Sequence, residues 1–568
     1  MIARQLLKTD VLVIGAGIAG ISAAIYAAKN GAKVALVSST KIFSGSTFYP
    51  GTWGFGLIGP EDEKDEENLL ETLRSVGQNM VIEDVAKTFV EKLNSSIDAL
   101  ENLGVTLQKP MKEAAGEKEY IPCFDYKHRR WRGLTKKNLL ETLPQILKEL
   151  KIEEVPFFEV LELIKEGKKV TGAIGILEGK EAVCIRSKAV ILATGGAGGI
   201  YKHKLTTDDV TGAGLSIALR AGARLVNLEF MQIMLGFVNP APKTIYNEKT
   251  FFASRFYDEK GKEFMQSRIP KGLSVEEILK ERSKHGPFSS STISKYADLA
   301  IFDEMSESRA QGVRLKYDDK TLNTGSEFVR EYFDWLKKEK HVDIEDEIVV
   351  APFMHASNGG IEIDKYARTT VEGLFACGEC TGGMHGADRI GGLSTANGIV
   401  FGKIAGEESA RYVKENGAGF DAQKLDQSDK EVELQDIYIV NAKEEIKNLQ
   451  SVMYKEAFLK RSEASLKKAM DYLESIELKL EPKGEKRNLL ESYRLLNAMG
   501  IAKAILRVMD ARKESRGSHY REDYKEINHE DFEELLTVRI DSENEDILSF
   551  IKESPNVERR EKKEVISW

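Results

Sequence analysis

The sequence predicts a doubly wound, Rossmann-like α/β fold with an inserted capping domain and a C-terminal helical bundle. Three patterns predict it: a strand, glycine turn, helix and strand at residues 10–38, a proline-containing break at 239–345, and charged segments of helical spacing after residue 419. A chain of 568 residues is too long for one hydrophobic core, so several packed units are expected.

The first element is an apolar strand, VLVIG, which passes through a glycine turn into the helix ISAAIYAAKNG and then the strand AKVALVSS. Another buried strand, KAVILA, follows at 188–193. The alternation of strands and helices stops near residue 239, where Pro240, Pro242, Pro270 and Pro287 punctuate short mixed segments, and it resumes near 346. The predicted domains are therefore a dinucleotide-type domain at 1–238 and 346–418, a capping domain at 239–345 and a helical domain at 419–568.

Composition excludes several classes of function. A net charge of -9 offers no basic field for a phosphate backbone, so no nucleic-acid partner is expected and a small substrate is favoured. Four cysteines are too few for a disulfide framework, which fits a reducing cytoplasm. No apolar run approaches the roughly 18 residues of a membrane span, and the start lacks the layout of a signal peptide. A cytoplasmic protein without a membrane span or a metal site is expected.

The glycine turn is the first chemical signal. Gly15, Gly17 and Gly20 stand in GAGIAG between a strand and a helix, where the first glycine allows the tight turn, the second the approach of a pyrophosphate and the third helix packing. The helix N-terminus then presents free N–H groups to phosphate. Ser38 and Ser39 stand where an acidic residue usually meets the ribose, which counts against a free nicotinamide cofactor.

Two further segments point to a flavin dinucleotide. The turn Ala193-Thr194-Gly195-Gly196 ends a buried strand, where backbone comes close to the dinucleotide in flavin folds. In GLFACGE a short strand delivers Glu379, whose carboxylate is placed to accept from a ribose hydroxyl. Together, the three segments predict FAD as the cofactor.

The motifs ATGGAG, LEFMQ, the H-x-x-x-G-G-I of 355–361, TTVEGLFACGE, HGADRIGG and ESRGSHYREDY together resemble the succinate dehydrogenase, fumarate reductase and L-aspartate oxidase flavoproteins, in the same order along essentially the whole chain. A histidine that binds FAD covalently in some members is replaced by Ser46, which implies non-covalent FAD. The aspartate of the family's T-G-D-G is replaced by Ala213. The resemblance implies FAD contacts at Gly15, Gly17, Ala19, Gly20, Ser38, Lys41, Ser46, Thr47, Gly195, Glu379, Ser394 and Thr395.

The predicted substrate site contains two residues that could meet a carboxylate. Arg389 can make a two-pronged contact, and His355 follows an apolar strand before a glycine pair. A structural arginine ion pair and a core histidine are the alternatives. Where relatives read E-F-x-Q-F-H-P-T, Met234 replaces the carboxylate-binding histidine, so the second end of the substrate is expected to be neutral, longer or aromatic.

The family's general acid is an arginine of the inserted domain, and Arg282 is the nearest match, with a surface arginine as the open alternative. The resemblance implies an FAD-dependent enzyme that moves a hydride between flavin N5 and the carbon–carbon bond of a small carboxylate, and the departure from the family at Met234 favours a substrate other than fumarate. Two alternatives stay open: an L-aspartate oxidase-like amino-acid oxidase, and an electron-transfer subunit of an iron–sulfur complex. The electron donor or acceptor is left open.

Overall fold

A computed structural model describes residues 1–110, 116, 120–318, 326–416, 432–435, 437–476 and 489–540, and the backbone of 548–553. The strands, in chain order, are β1 (Ile2–Ile14), β2 (Val34–Val37), β3 (Phe55–Gly59), β4 (Arg130–Leu134), β5 (Glu153–Val155), β6 (Phe158–Glu166), β7 (Lys169–Leu177), β8 (Glu181–Leu192), β9 (Leu225–Val226), β10 (Met231–Asn239), β11 (Ser254–Tyr257), β12 (Val313–Tyr317), β13 (Ile348–Ser357), β14 (Gly360–Glu362), β15 (Leu374–Ala376), β16 (Thr381–Gly382), β17 (Val432–Glu433), β18 (Leu535–Ile540) and β19 (Leu548–Glu553). The helices are α1 (Ile18–Lys29), α2 (Glu63–Val76), α3 (Glu83–Asn102), α4 (Lys136–Glu149), α5 (Ala213–Ala221), α6 (Met265–Arg268), α7 (Val275–Arg282), α8 (Lys295–Ser308), α9 (Glu327–Glu339), α10 (Leu393–Asn416), α11 (Ala442–Glu456), α12 (Glu463–Ser475), α13 (Leu489–Ala511) and α14 (His529–Phe532).

The central sheet has the order β5-β2-β1-β8-β7-β6, and β15 also pairs with β8. Strands β5, β2, β1, β8 and β15 run parallel, whereas β7 and β6 are antiparallel additions. Ile14 and Ala376 both pair with Leu192, so the carboxyl ends of β1, β15 and β8 are level. In open α/β sheets, ligands bind outside such carboxyl ends. All three predicted cofactor segments begin directly after these three strand ends.

Helix α10 packs closely against α1 because small residues recur at every fourth position. A Cβ at Gly402 would lie 2.5 Å from the carbonyl oxygen of Ala19, and one at Gly406 would lie 2.4 Å from that of Ala23. Residues four apart share one helix face, so these glycines form a shallow groove for the backbone of α1. This packing fixes the start of α10, which carries Ser394 and Thr395, beside the start of α1.

The capping domain is built on the antiparallel sheet β10-β13-β12-β11, with α6, α7, α8 and α9 around it. Its own core contains Leu235, Phe237, Phe256, Ile301 and Tyr332. Strand β10 begins at Met231 and strand β13 ends at Ser357. Both strands therefore extend beyond the limits of 239 and 345 predicted for the capping domain. The reason is that a continuous apolar strand fits either sheet, and only the pairing of β10 with β13 decides between them.

The C-terminal part contains the predicted helices, α11, α12 and α13, and also strands. In the sheet β16-β14-β9-β18-β19, strand β18 pairs with β9 of the first domain. A buried ion pair of Arg512 with Glu229 joins the same two parts, and Glu514 of the C-terminal part also pairs with Arg512. Among the described residues, no helix is long and apolar enough to cross a membrane.

Candidate active site

The carboxyl ends of β1, β8 and β15 open into a cavity of about 930 Å³. Its lining runs from the glycine turn after β1 to Met234 and Ile245 on the capping side, and in the other direction to α11 and α13. This volume suits a large organic ligand.

The glycine turn allows the protein backbone to come close to a bound ligand. Gly15 has a φ of +112°, and a Cβ there would lie 2.2 Å from the carbonyl oxygen of Ala193, so no other residue fits without displacement. Gly17 is the N-cap of α1 and has no side chain that could cap the helix, so first-turn N–H groups other than that of Ile18 suit an anionic ligand. The N–H of Ile18 donates to Thr47 Oγ1 at 3.1 Å, which ties the loop at 46–48 to this helix start.

Most residues predicted to hold FAD line this cavity. They are Gly15, Gly17, Ala19, Ser38, Ser46, Thr47, Gly195, Glu379, Ser394 and Thr395. Gly20 lies behind the turn, where a Cβ would come within 1.9 Å of the carbonyl oxygen of Gly15, so its role is close packing. Lys41 is exposed and does not belong to the lining.

Two carboxylates, those of Glu379 and Asp209, line the cavity. Glu379 Oε1 accepts from the N–H of Ser357 at 3.1 Å, and burial raises the pKa of Glu379. Asp209 Oδ2 accepts from Thr40 Oγ1 at 3.0 Å and from the N–H of Gly45 at 3.1 Å. Asp209 was not predicted from the sequence, because it lies far along the chain from the strand end at Ser38 where the acidic residue was sought.

Arg389 is a cation of the lining whose charge no carboxylate of the described chain neutralises. Its Nε and Nη2 both donate to Gln232 Oε1, at 3.0 and 2.7 Å, and it forms no ion pair among the described residues. Burial lowers the pKa of Arg389 to about 10, with smaller opposing effects of Cys123 and Glu379. The guanidinium is therefore still charged near neutral pH and available to an anion.

His355 lies beside Arg389 because of an irregularity in the capping sheet. Gln232 pairs with Ala356 and Ile233 pairs with Met354, so His355 is the extra residue of a β-bulge. Bulges commonly re-aim a side chain at the edge of a site. Burial and the charge of Arg389 lower the pKa of His355 to about 3, so the imidazole is neutral, and its Nδ1 has no hydrogen-bond partner among the described residues.

The rest of the lining on the capping side is mainly apolar. Met234 of β10, as predicted at this position, lines the cavity together with Ile245, Trp53 and Phe55. Trp53 stands against Tyr332 of α9 with ring centroids 5.2 Å apart. The sequence motifs gave no indication of Trp53, because it lies outside every recognisable segment and reaches the cavity through the packing of its loop on α9.

The structure does not bring Arg282 to this lining. Its side chain is fully buried, and its Nε and Nη2 donate to Asp298 at 2.7 and 3.2 Å. Nη2 also donates to the carbonyl oxygen of Gly286 at 2.9 Å, and Nη1 donates to the carbonyl oxygen of His285. Its donors are thus engaged within the capping domain. This geometry supports the loop at 285–286. Because the side chain of Arg282 does not reach the cavity, the structure does not support its predicted role as proton donor.

Glu248 and Cys123 are further polar residues near Met234 that the sequence did not indicate. Cys123 Sγ donates to Glu248 Oε1 at 3.2 Å, and the N–H of Gly391 donates to the carbonyl oxygen of Cys123 at 3.1 Å. A Cβ at Gly286 would lie 3.3 Å from Met234 Cε and 3.6 Å from Glu248 Cδ. The loop of Cys123, the loop of Gly286 and β10 therefore meet directly behind the lining.

The sequence matches the FAD binding domain family over residues 10–395 and the fumarate reductase flavoprotein C-terminal family over residues 446–559. It is 28% identical to a subunit of the CoM/CoB fumarate reductase of Methanothermobacter marburgensis, covering 93% of this chain and 96% of that one. It is 27% identical to L-aspartate oxidase of Yersinia pestis, covering 91% and 96%. A quinol fumarate reductase structure from E. coli shares the fold, with a TM-score of 0.71 at 23% identity over 96% of each chain.

The residues of the cavity fit the cofactor that these relatives indicate. A turn that excludes any Cβ, a helix start with a glycine N-cap and a partly buried carboxylate at a strand end match a dinucleotide. The first family match alone covers well over half of the chain. The protein therefore belongs to the succinate dehydrogenase and fumarate reductase flavoprotein family, which includes L-aspartate oxidase, and it is an FAD-dependent oxidoreductase.

Proposed function

We propose that the chain interconverts the single and double carbon–carbon bond of a small carboxylate whose other end is neutral and apolar or aromatic. The observation that carries this proposal is Arg389, whose guanidinium belongs to the cavity lining with a neutral amide as its side-chain partner. A partly buried guanidinium that no carboxylate pairs with is a strong site for a substrate carboxylate, because its planar fork matches two oxygens.

The proposal of a neutral second end rests on the remaining charges of the lining. Lys204 also lines the cavity, but its Nζ lies 3.4 Å from Asp208 Oδ1, a carboxylate oxygen that it shares with Lys243, so its charge is partly compensated. The other cations of the lining, Lys443, Lys447 and Arg494, belong to α11 and α13. Around Met234, Trp53 and Ile245 a second carboxylate would meet apolar groups and lose its hydration without compensation.

FAD, when bound, supplies the hydride chemistry of such a reaction. The chain's own side chains orient the substrate: Arg389 holds its carboxylate and withdraws electron density from the adjacent carbon–carbon bond. His355, being neutral, contributes a hydrogen bond and no charge. The capping domain limits the access of water to the cavity.

The direct test is reoxidation of the dithionite-reduced holoenzyme, followed by flavin absorbance, with a panel of enoates and dicarboxylates. We expect monocarboxylic enoates with an apolar end, such as cinnamate, to reoxidise the flavin, and Arg389→Met to abolish this reaction. Efficient turnover of fumarate, succinate or L-aspartate by the wild-type protein would contradict the proposed neutral end.

A second candidate function is an amino-acid oxidase, because L-aspartate oxidase is among the relatives. Such an enzyme would return electrons to dioxygen or fumarate. Release of hydrogen peroxide on addition of an amino acid to the aerobic holoenzyme would favour this candidate over the enoate reaction.

A third candidate is an electron-transfer component of a larger complex, since the relative from Methanothermobacter marburgensis is named as one subunit of its enzyme. In that case we propose an iron–sulfur protein as the partner. Its co-purification with the tagged chain, or inertness of the isolated chain that the partner relieves, would favour this candidate.

We further propose that FAD is held non-covalently. Ser46 lines the cavity with its Oγ 2.6 Å from Thr206 Oγ1, and a hydroxyl is not a flavin-linking group of the histidine type. Precipitation of the holoenzyme with acid should leave the yellow chromophore in the supernatant. Flavin that stays in the washed pellet would contradict this proposal.

A further inference from the structure

We infer that Gln232 is the positioning residue that keeps Arg389 both fixed and uncompensated, and thereby sets the preference of the site for an anion. This inference rests on the proposed function, in which Arg389 receives the substrate carboxylate. It assigns a role to a side chain that carries no charge of its own and does not belong to the cavity lining.

The contact itself is specific in its geometry. A single oxygen, Gln232 Oε1, accepts from both Nε and Nη2 of Arg389, which fixes one edge of the planar guanidinium. Arginine only donates, so the amide must present its oxygen to Arg389 and turn its Nε2 away. Nε2 has no hydrogen-bond partner among the described residues, although Gln232 is only 1% exposed.

The position of Gln232 in the sheet makes this contact rigid. Gln232 pairs with Ala356 immediately before the β-bulge at His355, so the same irregularity that re-aims His355 also places Gln232 under Arg389. Arg389 follows the segment 385–388, whose backbone is braced by the N–H of Ser518 donating to the carbonyl oxygen of Ala387 at 3.2 Å. Both partners are therefore held by backbone contacts that do not depend on their own side chains.

The charge balance around Arg389 explains why the partner is an amide. The titratable groups that influence it are Glu379, Cys123, His355 and His385, and none of them forms an ion pair with it among the described residues. A carboxylate at position 232 would pair with the guanidinium in nearly the same place and remove the charge from the substrate. An amide of the same shape provides the acceptor without neutralising the cation.

The test compares Gln232→Glu with the wild-type holoenzyme through binding of two probes to the oxidised form, cinnamate and its neutral amide, cinnamamide, followed by flavin absorbance. Wild type is expected to bind the acid more tightly than the amide. In Gln232→Glu the affinity for cinnamate should fall on the order of 100-fold, whereas that for cinnamamide should change little.

Two further variants separate charge from shape. Gln232→Met keeps the length and loses the acceptor, and it should weaken cinnamate binding by roughly tenfold because Arg389 keeps its charge but not its position. Gln311→Glu adds the same charge next to Lys202 at an exposed site and should leave the acid-to-amide ratio as in wild type.

The outcomes distinguish the two levels of the proposal. If the wild-type protein binds neither probe, or prefers the amide, the proposed function fails. If the wild type prefers the acid and Gln232→Glu keeps that preference, the role of Gln232 is refuted while the proposed function stands. Equal loss of both probes and of FAD in Gln232→Glu would also refute it, since the residue would then be structural.

Discussion

Arg389 and Arg282 show how environment decides what one residue type does. Arg282 is fully buried, neutralised by Asp298 and bonded to two carbonyl oxygens. Arg389 is partly buried, and its side-chain partner is the amide of Gln232. The first arrangement satisfies the arginine within the protein. The second arrangement leaves a positive charge that an anionic ligand can neutralise.

For Arg282 the structure predicts a loss of stability on substitution. Arg282→Ala leaves Asp298 buried and unpaired, so the free energy of unfolding should fall by about 3–5 kcal/mol. Urea denaturation of the holoenzyme measures this change. Asp298→Asn should have a similar effect, and the double variant should lose less than the sum of the two. Wild-type stability with selective loss of turnover in Arg282→Ala would restore its role as proton donor.

The buried carboxyl group of Asp388 should make the stability of the protein depend on pH. The carboxyl accepts from Ser289 Oγ at 2.6 Å, and burial raises its pKa to about 7 from an ordinary value of 3.8. Between these values the folded chain keeps a proton that the unfolded chain loses, so this group lowers the free energy of unfolding as the pH rises from about 4 to 7.

Asp388→Asn should remove this contribution. The variant should therefore gain stability relative to wild type between pH 5 and pH 8, by a few kcal/mol, as measured by urea denaturation at each pH. Asp334→Asn, at an exposed site of α9, is the matched control and should follow wild type at every pH. A constant difference between Asp388→Asn and wild type across this range would contradict the raised pKa.

At the scale of elements, the packing of α1 on α10 links two segments of the predicted cofactor site that are distant in the chain. Each glycine of α10 that faces α1 lets the two backbones approach, and the approach sets the distance between the turn at Gly15 and the start of α10 at Ser394. Closely packed interfaces of this kind tolerate an added methyl group poorly.

Gly402→Ala tests this link. The new Cβ would lie 2.5 Å from the carbonyl oxygen of Ala19, which forces the helices apart and should cost about 1–3 kcal/mol of stability despite the better helix propensity of alanine. We also expect weaker FAD retention, measured by the flavin-to-protein ratio after gel filtration. Lys414→Ala, on the exposed last turn of α10, should retain both properties. Full flavin content in Gly402→Ala would show that the helix distance is not critical.

At the scale of the whole molecule, the C-terminal domain supplies residues of the cavity lining. Arg494 of α13 holds Glu159 of β6 in a two-pronged ion pair, with Nε and Nη2 at 2.8 and 2.6 Å from its oxygens, and both residues line the cavity. This pair joins the C-terminal helices to the antiparallel edge of the central sheet. The C-terminal helices thus supply part of the cavity lining.

Removal of this pair should loosen the cofactor. Arg494→Ala is expected to accelerate FAD release by a few-fold, a modest effect because the pair is partly exposed. Flavin fluorescence after dilution of the holoenzyme follows the release. Glu159→Ala should act alike, and the double variant should be no faster than either single variant. Arg268→Ala, which breaks a comparable pair in the capping domain, is the control, and additive effects of the first two would contradict a shared contact.

Several features of this protein were determined by local sequence. The glycine turn at Gly15, the turn at Gly195 and the carboxylate of Glu379 were identified because each has a local physical cause: a backbone that admits no Cβ, or a polar residue directly after a buried strand. The parallel sheet then brings these strand ends level. The family assignment and the cofactor followed from the same short segments.

Tertiary structure alone decided what depends on residues far apart in the chain. The sequence predicted both Arg282, as proton donor, and Arg389, as carboxylate-binding residue, for the substrate site. Only the fold pairs the first with Asp298 and leaves the second beside Gln232. Likewise, the assignment of β10 to the capping sheet and the access of Trp53 to the cavity arise from partners on β13 and α9. Burial and charge compensation are properties of the assembled environment, and no spacing along the chain encodes them.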